Sequence, residues 1–444
     1  MVRDAGVALA MRVGGTLLWF GYTVVLARML SQEQFGLVLF AMNFMLMATP
    51  MATLGFETAT MRFGSQYWHT ANKAAFKTLL DQARLFAALG GGLCTLALLV
   101  AAAAGINTPI TADWAIAGVV GTSVLAMAIM SVHRDALRGA GRLVLGLMGF
   151  TFTRAVLPLV GSIALGISGQ LNVLAALALY LGSLGASIVI EVWQISRLGL
   201  VASETNVDKG EHLRVALSIW PGEIAAVLLT RASGLVVGLV LNLELAALFL
   251  AAQRIMALSQ FLTDAIRMAA APEIARAAGG EDLSKLQRSV TRASALIFVF
   301  DLAGKVGMAA FGFLFLMLLG DAYTEAYPTL LVLLLGTLSW TVFGPAGVTM
   351  YMIGLQRERS ISTSIAALLV IITSWLGSIW GGPVGAAVGF SAVNWLLNGW
   401  LVWTIWRLRD VRCGIIGVPP TTLMGHFYGQ FTTLKAFVRR PGRS

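Results

Sequence analysis

Charged residues are scarce in this sequence. Asp, Glu, Lys and Arg together make up 12% of the 444 residues, while hydrophobic residues make up 58% and the mean hydropathy is +0.82. Soluble globular domains carry about twice that share of charge, so the composition excludes one. The sequence therefore predicts an all-α, polytopic membrane protein.

Histidine and cysteine are also rare, and their positions form no catalytic or metal-binding pattern. The four histidines are His69, His133, His212 and His426. None has metal-ligand spacing to another histidine, a cysteine or an acid, and Cys94 and Cys413 lie in unrelated contexts. The run HRDALRGAGR at 133 has only a faint similarity to a kinase catalytic loop, and it lies between membrane helices. We expect no enzyme activity, no metal and no cofactor.

Apolar runs of membrane-spanning length recur twelve times. They lie near residues 8–28, 36–60, 85–105, 112–132, 143–166, 172–196, 214–240, 245–268, 293–319, 327–353, 361–381 and 383–406. About 20 apolar residues cross the hydrocarbon core as one helix, so we predict about twelve transmembrane helices. Four prolines fall inside these runs, at Pro50, Pro158, Pro221 and Pro345, and we expect kinks there.

Basic residues are concentrated in every second connector between the predicted spans. The connectors 62–84, 134–142, 197–214, 267–292 and 357–359 hold 17 Lys or Arg, whereas the alternate connectors near 106–111, 167–171, 241–244, 320–326 and 380–383 hold none. The positive-inside rule then places both termini in the cytoplasm. The net charge of +10 belongs to these loops and to the tail, so we expect contact with membrane lipids and none with nucleic acid.

The two halves of the chain resemble each other. Placing Glu33 on Glu244 aligns VVLARMLSQEQFGLVLFAMN with VVGLVLNLELAALFLAAQR at an offset of 211 residues. Six spans precede the polar connector VASETNVDKGEH and six follow it, which favours parallel repeats. We predict a six-helix lobe at 1–198, a cytoplasmic connector at 199–212, a second lobe at 213–408 and a basic tail at 409–444.

Three stretches resemble a known family. They are LARMLSQEQFGLVLFAMNFMLMATPMATLGFETATMRF, APEIARAAGGEDLSKLQR and FGPAGVTMYMIGLQRER. They are similar to stretches of the bacterial O-antigen and exopolysaccharide flippases (Wzx-like) in the multidrug, oligosaccharidyl-lipid and polysaccharide exporter superfamily. The resemblance implies two lobes around a central cavity, which carry a polyprenyl-pyrophosphate-linked oligosaccharide outward across the inner membrane. It also implies partnership with glycosyltransferases and a polysaccharide polymerase.

Basic residues outnumber acidic ones inside the predicted spans. The candidate site residues among them are the basic Arg12, Arg28, Arg154, Arg231, Arg254 and Lys305 and the acidic Glu57, Glu223, Asp264 and Asp301. A cavity with surplus guanidinium suits a diphosphate, because arginine offers a planar donor fork and keeps its charge when partly dehydrated. The five arginines are therefore the predicted substrate-binding residues. An ion-coupled exporter of cationic drugs or small solutes, with the same fold, is the alternative.

Several of these residues have a structural interpretation as well. Arg12 and Arg28 lie near the two ends of the first span, where arginine side chains reach towards the interfaces. Asp301 and Lys305 are four residues apart, and we predict a structural ion pair. Glu223, Asp264 and Glu57 are the predicted sites of coupling to H⁺ or Na⁺; for Glu57 a pair with Arg62 is the alternative.

The predicted orientation can be checked with single cysteines in a background without Cys94 and Cys413. Ala75→Cys and Asp282→Cys should resist an impermeant thiol reagent on intact cells and react after lysis, because both connectors are predicted to be cytoplasmic. Thr108→Cys, in a connector predicted to face outward, is the control that should react in both conditions. Labelling at 75 or 282 without lysis would overturn the topology.

Overall fold

The structure is a computed structural model that describes residues 2–201, 207–280 and 282–417, and this part of the chain consists of α-helices without β-strands. The helices are α1 (Val2–Met29), α2 (Gln32–Thr53), α3 (Phe56–His69), α4 (Lys73–Ala103), α5 (Trp114–Gly139), α6 (Leu143–Met148), α7 (Arg154–Ile167), α8 (Val173–Ser196), α9 (Lys209–Val240), α10 (Leu243–Ala278), α11 (Leu283–Leu319), α12 (Tyr327–Phe343), α13 (Ala346–Met352) and α14 (Gln356–Arg409). A π-helical turn, Gly149–Thr153, joins α6 to α7, and a 3-10 turn, Asp321–Ala326, precedes α12.

The all-α, multi-pass prediction is confirmed. Within the described residues, nine helical segments are long and apolar enough to cross a membrane. One of them, α14, contains two predicted spans, since its 54 residues would extend roughly 80 Å as a straight helix and the hydrocarbon core is about 30 Å thick. Backbone angles at Gly381 and Gly382 leave the helical region and divide α14 into two arms. Counting both arms gives ten spans, and α1 and α10, with 28 and 36 residues, are also long enough to cross. The described residues thus contain about twelve spans, α1 to α8 in one lobe and α9 to α14 in the other.

The two arms of α14 pack backbone against backbone. A Cβ atom on Gly377 would overlap the carbonyl oxygen of Gly385, and one on Gly385 would overlap the carbonyl oxygen of Gly377. A Cβ on Gly389 would likewise meet the backbone of Thr373. Small residues permit this approach between membrane helices, where packing replaces the hydrophobic effect as the attractive force.

Helix ends in the two lobes follow the predicted offset. α1 and α9 end 211 residues apart, and α2 and α10 begin 211 residues apart. Each second helix also starts with a side-chain cap, since Ser31 accepts from the backbone N–H of Gln34 at 3.2 Å and Asn242 accepts from that of Leu245 at 2.7 Å. Such caps satisfy N–H groups that have no partner within the helix.

Some predicted boundaries differ from the observed ones. The predicted span 36–60 breaks at Leu54 and Gly55, both in the left-handed region with φ of 52° and 79°, and α3 starts at Phe56. Pro345 caps α13 and coincides with a break, whereas the other three prolines lie inside α2, α7 and α9. The predicted connector 199–212 is helical from Lys209, and its residues 202–206, like 418–444 of the tail, lie outside the described part.

The lobes meet through α2, which packs on α9 and α10. At the end of the helices that is predicted to face outward, Gly36 of α2 is so close to α10 that a Cβ atom would overlap the carbonyl oxygen of Leu243. Nearer the opposite end, the indole N–H of Trp220 in α9 donates to the carbonyl oxygen of Pro50 at 3.0 Å, and Tyr67 shares a 2.7 Å hydrogen bond with His212. Helix α9 therefore contacts both lobes.

Gly36→Ala should loosen the outer contact between the lobes, because the added methyl group has no space against α10 and overpacking typically costs about 1–3 kcal/mol. Thermal unfolding of the detergent-purified protein should show a lower midpoint than the wild type. The matched control is Gly92→Ala, since a Cβ at Gly92 meets nothing within 4 Å. Equal midpoints for the two variants would contradict the observed packing.

A cationic site between the lobes

Two arginines from opposite lobes flank one indole ring. The guanidinium carbon of Arg154, on α7, lies 5.2 Å from the ring centroid of Trp19, and that of Arg254, on α10, lies 5.3 Å from the same ring. Both distances are within the range of cation–π attraction. The Trp19 ring therefore contacts two arginines that lie 100 residues apart in the sequence.

Arg231 of α9 is the third cation of the group. The positive charges of Arg231 and Arg154 both act on Arg254, and that of Arg154 acts on Arg231. Within the described residues, the charged neighbours of Arg231 and Arg254 include no carboxylate. Like charges in a medium of low dielectric raise the free energy of the empty site, and an anion would lower it.

Polar contacts between helices hold these arginines in place. The guanidinium of Arg254 donates to the hydroxyl of Thr23 at 3.2 Å and lies 3.6 Å from the sulfur of Met42. The side-chain amide of Asn43 donates to the carbonyl oxygen of Arg231 at 2.9 Å. Each contact joins the second lobe to the first. As whole residues, all three arginines are partly buried.

The three arginines lie at similar depths in the membrane. Arg254 is 11 residues from the start of α10, Arg231 is nine from the end of α9 and Arg154 is 13 from the end of α7. At a rise of about 1.5 Å per residue, these positions are roughly 14–20 Å from the ends predicted to face outward. The hydrocarbon core is about 30 Å thick, so the cluster is near its middle.

Aromatic residues that sequence reasoning missed complete the site. The Trp19 ring centroid lies 5.3 Å from that of Tyr22 and 5.8 Å from that of Tyr180, and both tyrosine hydroxyls interact electrostatically with Arg254. Aromatic residues in apolar helices are usually part of the core, so none of these stands out in the sequence. The available signal was helical spacing, since Trp19, Tyr22 and Thr23 share one face of α1.

The other two predicted substrate-binding residues, Arg28 and Arg12, are not among the described members of this cluster. Arg28 is exposed and donates to the carbonyl oxygens of Leu318, at 2.9 Å, and Met317, at 2.8 Å. Its charge therefore stabilises the C-terminal end of α11, in agreement with the end-of-helix interpretation. Arg12 lies in α1, but its side chain is outside the described part of the structure.

The predicted Asp301–Lys305 ion pair is present in the second lobe. The Lys305 ammonium is 2.5 Å from the Asp301 carboxylate, and both side chains are buried. Hydroxyl groups of Thr263 and Thr341 also donate to Asp301, which leaves this carboxylate well satisfied. Asp264 is close to this network but exposed, and its carboxylate lies 3.7 Å from the guanidinium of Arg267.

Glu57 and Glu223 lie on either side of the contact between α3 and α9. Glu57 pairs with Arg134 at 3.2 Å, so the alternative pairing with Arg62 was wrong. The break at Leu54 explains the difference, because it turns α3 towards α5. Thr58 donates to one oxygen of Glu223, whose other oxygen is buried without a hydrogen-bond partner in the described residues.

One protein family and several solved transporter structures are similar to this chain. A sequence model of the family described as "Polysaccharide biosynthesis protein" matches residues 1–278, and no curated protein matches. A multidrug resistance MATE family transporter of the MOP superfamily, in an inward-facing conformation, aligns with a TM-score of 0.77 and 15% identity over 91% of this chain and 99% of that one. An outward-facing structure of a multidrug resistance MATE family transporter aligns with a TM-score of 0.64 and 16% identity. The alignment covers 92% of this chain and 96% of that one.

A third similar structure is a MOP superfamily transporter from Pyrococcus furiosus. It aligns with a TM-score of 0.64 and 17% identity over 91% of this chain and 94% of that one. That protein is described as having a binding pocket of reverse polarity, which suggests a different function for it. At these identities the structural likenesses establish the fold, which is that of the MOP superfamily.

Proposed function

The chain belongs to the polysaccharide biosynthesis protein family, and from that membership we propose that it flips a polyprenyl-pyrophosphate-linked oligosaccharide across the bacterial inner membrane. It is a multi-pass membrane transporter and not an enzyme. In this proposal the two lobes alternate between access to the cytoplasm and access to the outside, and both termini are cytoplasmic. The product would serve O-antigen or exopolysaccharide synthesis.

The observation that carries the proposal is the meeting of Arg154 and Arg254 at Trp19, with Arg231 close enough for its charge to act on Arg254. Arginine matches the oxygens of a phosphate group with two parallel N–H donors, and it remains charged in a partly dry site. Three guanidinium groups from two lobes can hold a diphosphate at mid-membrane while the lipid tail stays among the lipids.

Features of the lobe contacts support alternating access. Gly36 and Leu243 touch at the end predicted to face outward, and Arg28 joins α1 to α11 at the same end. The fold aligns better with an inward-facing transporter of the superfamily than with an outward-facing one. Both facts fit a conformation that is closed outside, in which the cationic site takes its ligand from the cytoplasm.

Export of a cationic drug, the alternative function, fits this site poorly. A cationic ligand would meet three like charges, and the described neighbours of Arg231 and Arg254 offer it no carboxylate. Repulsion between unit charges in a partly buried site amounts to several kcal/mol at close range. The charge of the site therefore favours an anionic substrate.

Glycosyltransferases that build the glycan on its lipid, and a polymerase that extends it after transport, are the proposed partners. The lipid carrier and the surrounding membrane lipids complete the environment of the transporter. H⁺ or Na⁺ is the proposed coupling ion, bound at Glu223, Asp264 or Glu57. Of these, Glu223 is the best placed, because it lies at a contact between the two lobes.

Removing either lobe-bridging arginine should abolish glycan export. Arg231→Ala and Arg254→Ala each delete charge-assisted hydrogen bonds to the diphosphate, worth about 1.5–3 kcal/mol, or roughly 10- to 100-fold in affinity. Lysine at either position should restore only part of the activity, because it keeps the charge and loses the planar fork. Export of lipid-linked glycan into proteoliposomes is the measurement.

Arg28→Ala is the matched control for these variants, since Arg28 is outside the cluster. It should keep binding of lipid-linked glycan close to that of the wild type. Elution as a single monodisperse peak would establish that each alanine variant is folded. Full export by both Arg231→Ala and Arg254→Ala would remove the cluster from the mechanism.

Glu223→Gln should slow repeated turnover more than it weakens a single round of substrate binding. The membrane potential drives the anionic substrate outward, by about 2.3 kcal/mol per elementary charge at 100 mV, so ion coupling is needed for the return of the empty cationic site. Glycan binding to purified protein and multi-round export under an imposed potential separate the two steps. Asp264→Asn is measured in parallel, and equal loss of both steps would assign these carboxylates a structural role.

A further inference from the structure

A buried acid and a buried histidine face each other in the first lobe, away from the cationic site. Glu191 of α8 and His133 of α5 have side chains only 0% and 2% exposed, and 3.6 Å separates the carboxylate Oε2 from the imidazole Nδ1. The guanidinium of Arg84 donates to the other ring nitrogen, Nε2, at 2.8 Å. Because Nε2 accepts, the neutral ring carries its proton on Nδ1, which faces Glu191.

The carboxyl group of Glu191 lacks the partners that a buried anion needs. Neither of its oxygens has a hydrogen bond within the described residues, and the same is true of the nearby Nδ1 atom of His133. An ionised carboxylate in such surroundings costs several kcal/mol of desolvation, and a bound proton removes that charge. Gln194, three residues further along α8, has a buried side-chain oxygen without a donor, which a protonated carboxyl group could supply.

We propose that Glu191, which lies beside His133, is a second proton-binding site, in addition to the ion site proposed at Glu223, and that it couples proton movement to the lobe transition. The proton adds to one carboxylate oxygen when the site is open to water and returns to water when the other conformation exposes it. No other bond changes. Its use in transport rests on the proposed function, whereas proton binding itself does not.

The charged groups around Glu191 connect it to the contact between the lobes. Arg134 and Asp135 of α5 act on Glu191 itself. Arg84 of α4 contacts its neighbour His133, Glu57 of α3 pairs with Arg134, and Arg138 of α5 pairs with Asp135. Arg134 is the shared partner: its charge acts on Glu191, and its guanidinium lies 3.2 Å from Glu57 and 2.9 Å from Asp135. Loss of the proton makes Glu191 an anion that competes with Glu57 for Arg134.

The competition for Arg134 reaches the second lobe through one residue. Glu57 is followed by Thr58, which donates across the lobe contact to Glu223 of α9. A change in the Arg134–Glu57 pair therefore acts on the first turn of α3, where this contact is made. The proton on Glu191 stabilises one arrangement of the α3–α9 contact, and its release favours the other.

The surroundings of Glu191 favour a proton over a metal cation. A hard cation such as Na⁺ needs several oxygen ligands, and here a single carboxylate faces an imidazole N–H. The positive charge of Arg134 already acts on this carboxyl group. A proton needs only one lone pair and leaves a neutral group.

Infrared difference spectroscopy on the purified full-length protein tests proton binding directly. A step from low to high pH should remove a carboxylic-acid C=O band in the wild type, and Glu191→Gln should lack that band. Glu211→Gln is the matched control, because Glu211 is exposed and its variant should keep the band. His133→Gln should shift the pH at which the band disappears. An unchanged band in Glu191→Gln, or no shift in His133→Gln, overturns the proposal.

Transport in proteoliposomes tests the coupling. An imposed pH gradient should accelerate multi-round glycan export by the wild type, and this acceleration should be lost in Glu191→Gln while export driven by potential in the first round persists. Acceleration by a Na⁺ gradient in place of the pH gradient would overturn the proton assignment. If the wild type shows the band but moves no glycan, the proposed function fails and the proton site stands. If the wild type exports glycan and Glu191→Gln is still accelerated by the pH gradient, Glu191 is not a coupling site.

Discussion

The cost of placing charge inside a bilayer governs the arrangement of this protein. Each lobe encloses a network in which opposite charges meet, Asp301 with Lys305 in one and Glu57 with Arg134 in the other. Such pairs offset much of the desolvation that each charge would otherwise incur. Between the lobes the pattern is reversed, because Arg231 and Arg254 act on each other with the same sign. This accumulation of positive charge is the physical basis for the proposed anionic substrate.

Close backbone packing gives the charges their fixed positions. Gly36 lies against α10, Gly55 against the carbonyl oxygen of Ala216, and Gly377 against Gly385. Hydrocarbon chains are as apolar as leucine, so helices in a membrane associate through such contacts and through polar links like that from Asn43 to the backbone of Arg231. Packing of this kind has discrete arrangements, as the proposed alternation of the two lobes requires. The helix that bridges both lobes, α9, carries both Arg231 and Glu223.

Part of the candidate site was predictable from the sequence and part was not. Arg154, Arg231 and Arg254 stood out because charged residues are rare in membrane spans, so each one indicates a partner, a ligand or water. Glu191 lies close to the end of an apolar span. An acidic residue at that position is not a sign of function by itself. Its importance depends on His133 in another helix and on Arg84 in a third. No spacing along the chain encodes that meeting, since it depends on how three helices are rotated against one another.

Composition and local pattern determined the class of this protein, its all-α fold, its spans and the 211-residue relation between its halves, because a bilayer selects apolar helices of fixed length whatever their neighbours. The ion pair of Asp301 with Lys305 was equally predictable, since four residues place both on one helix face. The partner of Glu57 was not, because a turn at Leu54 redirects the chain and brings in Arg134. Only the tertiary structure decided that Arg154 of α7 and Arg254 of α10 meet at Trp19 and that the charge of Arg231 of α9 acts on Arg254. Helix packing sets these side-chain contacts across distances that the sequence does not encode.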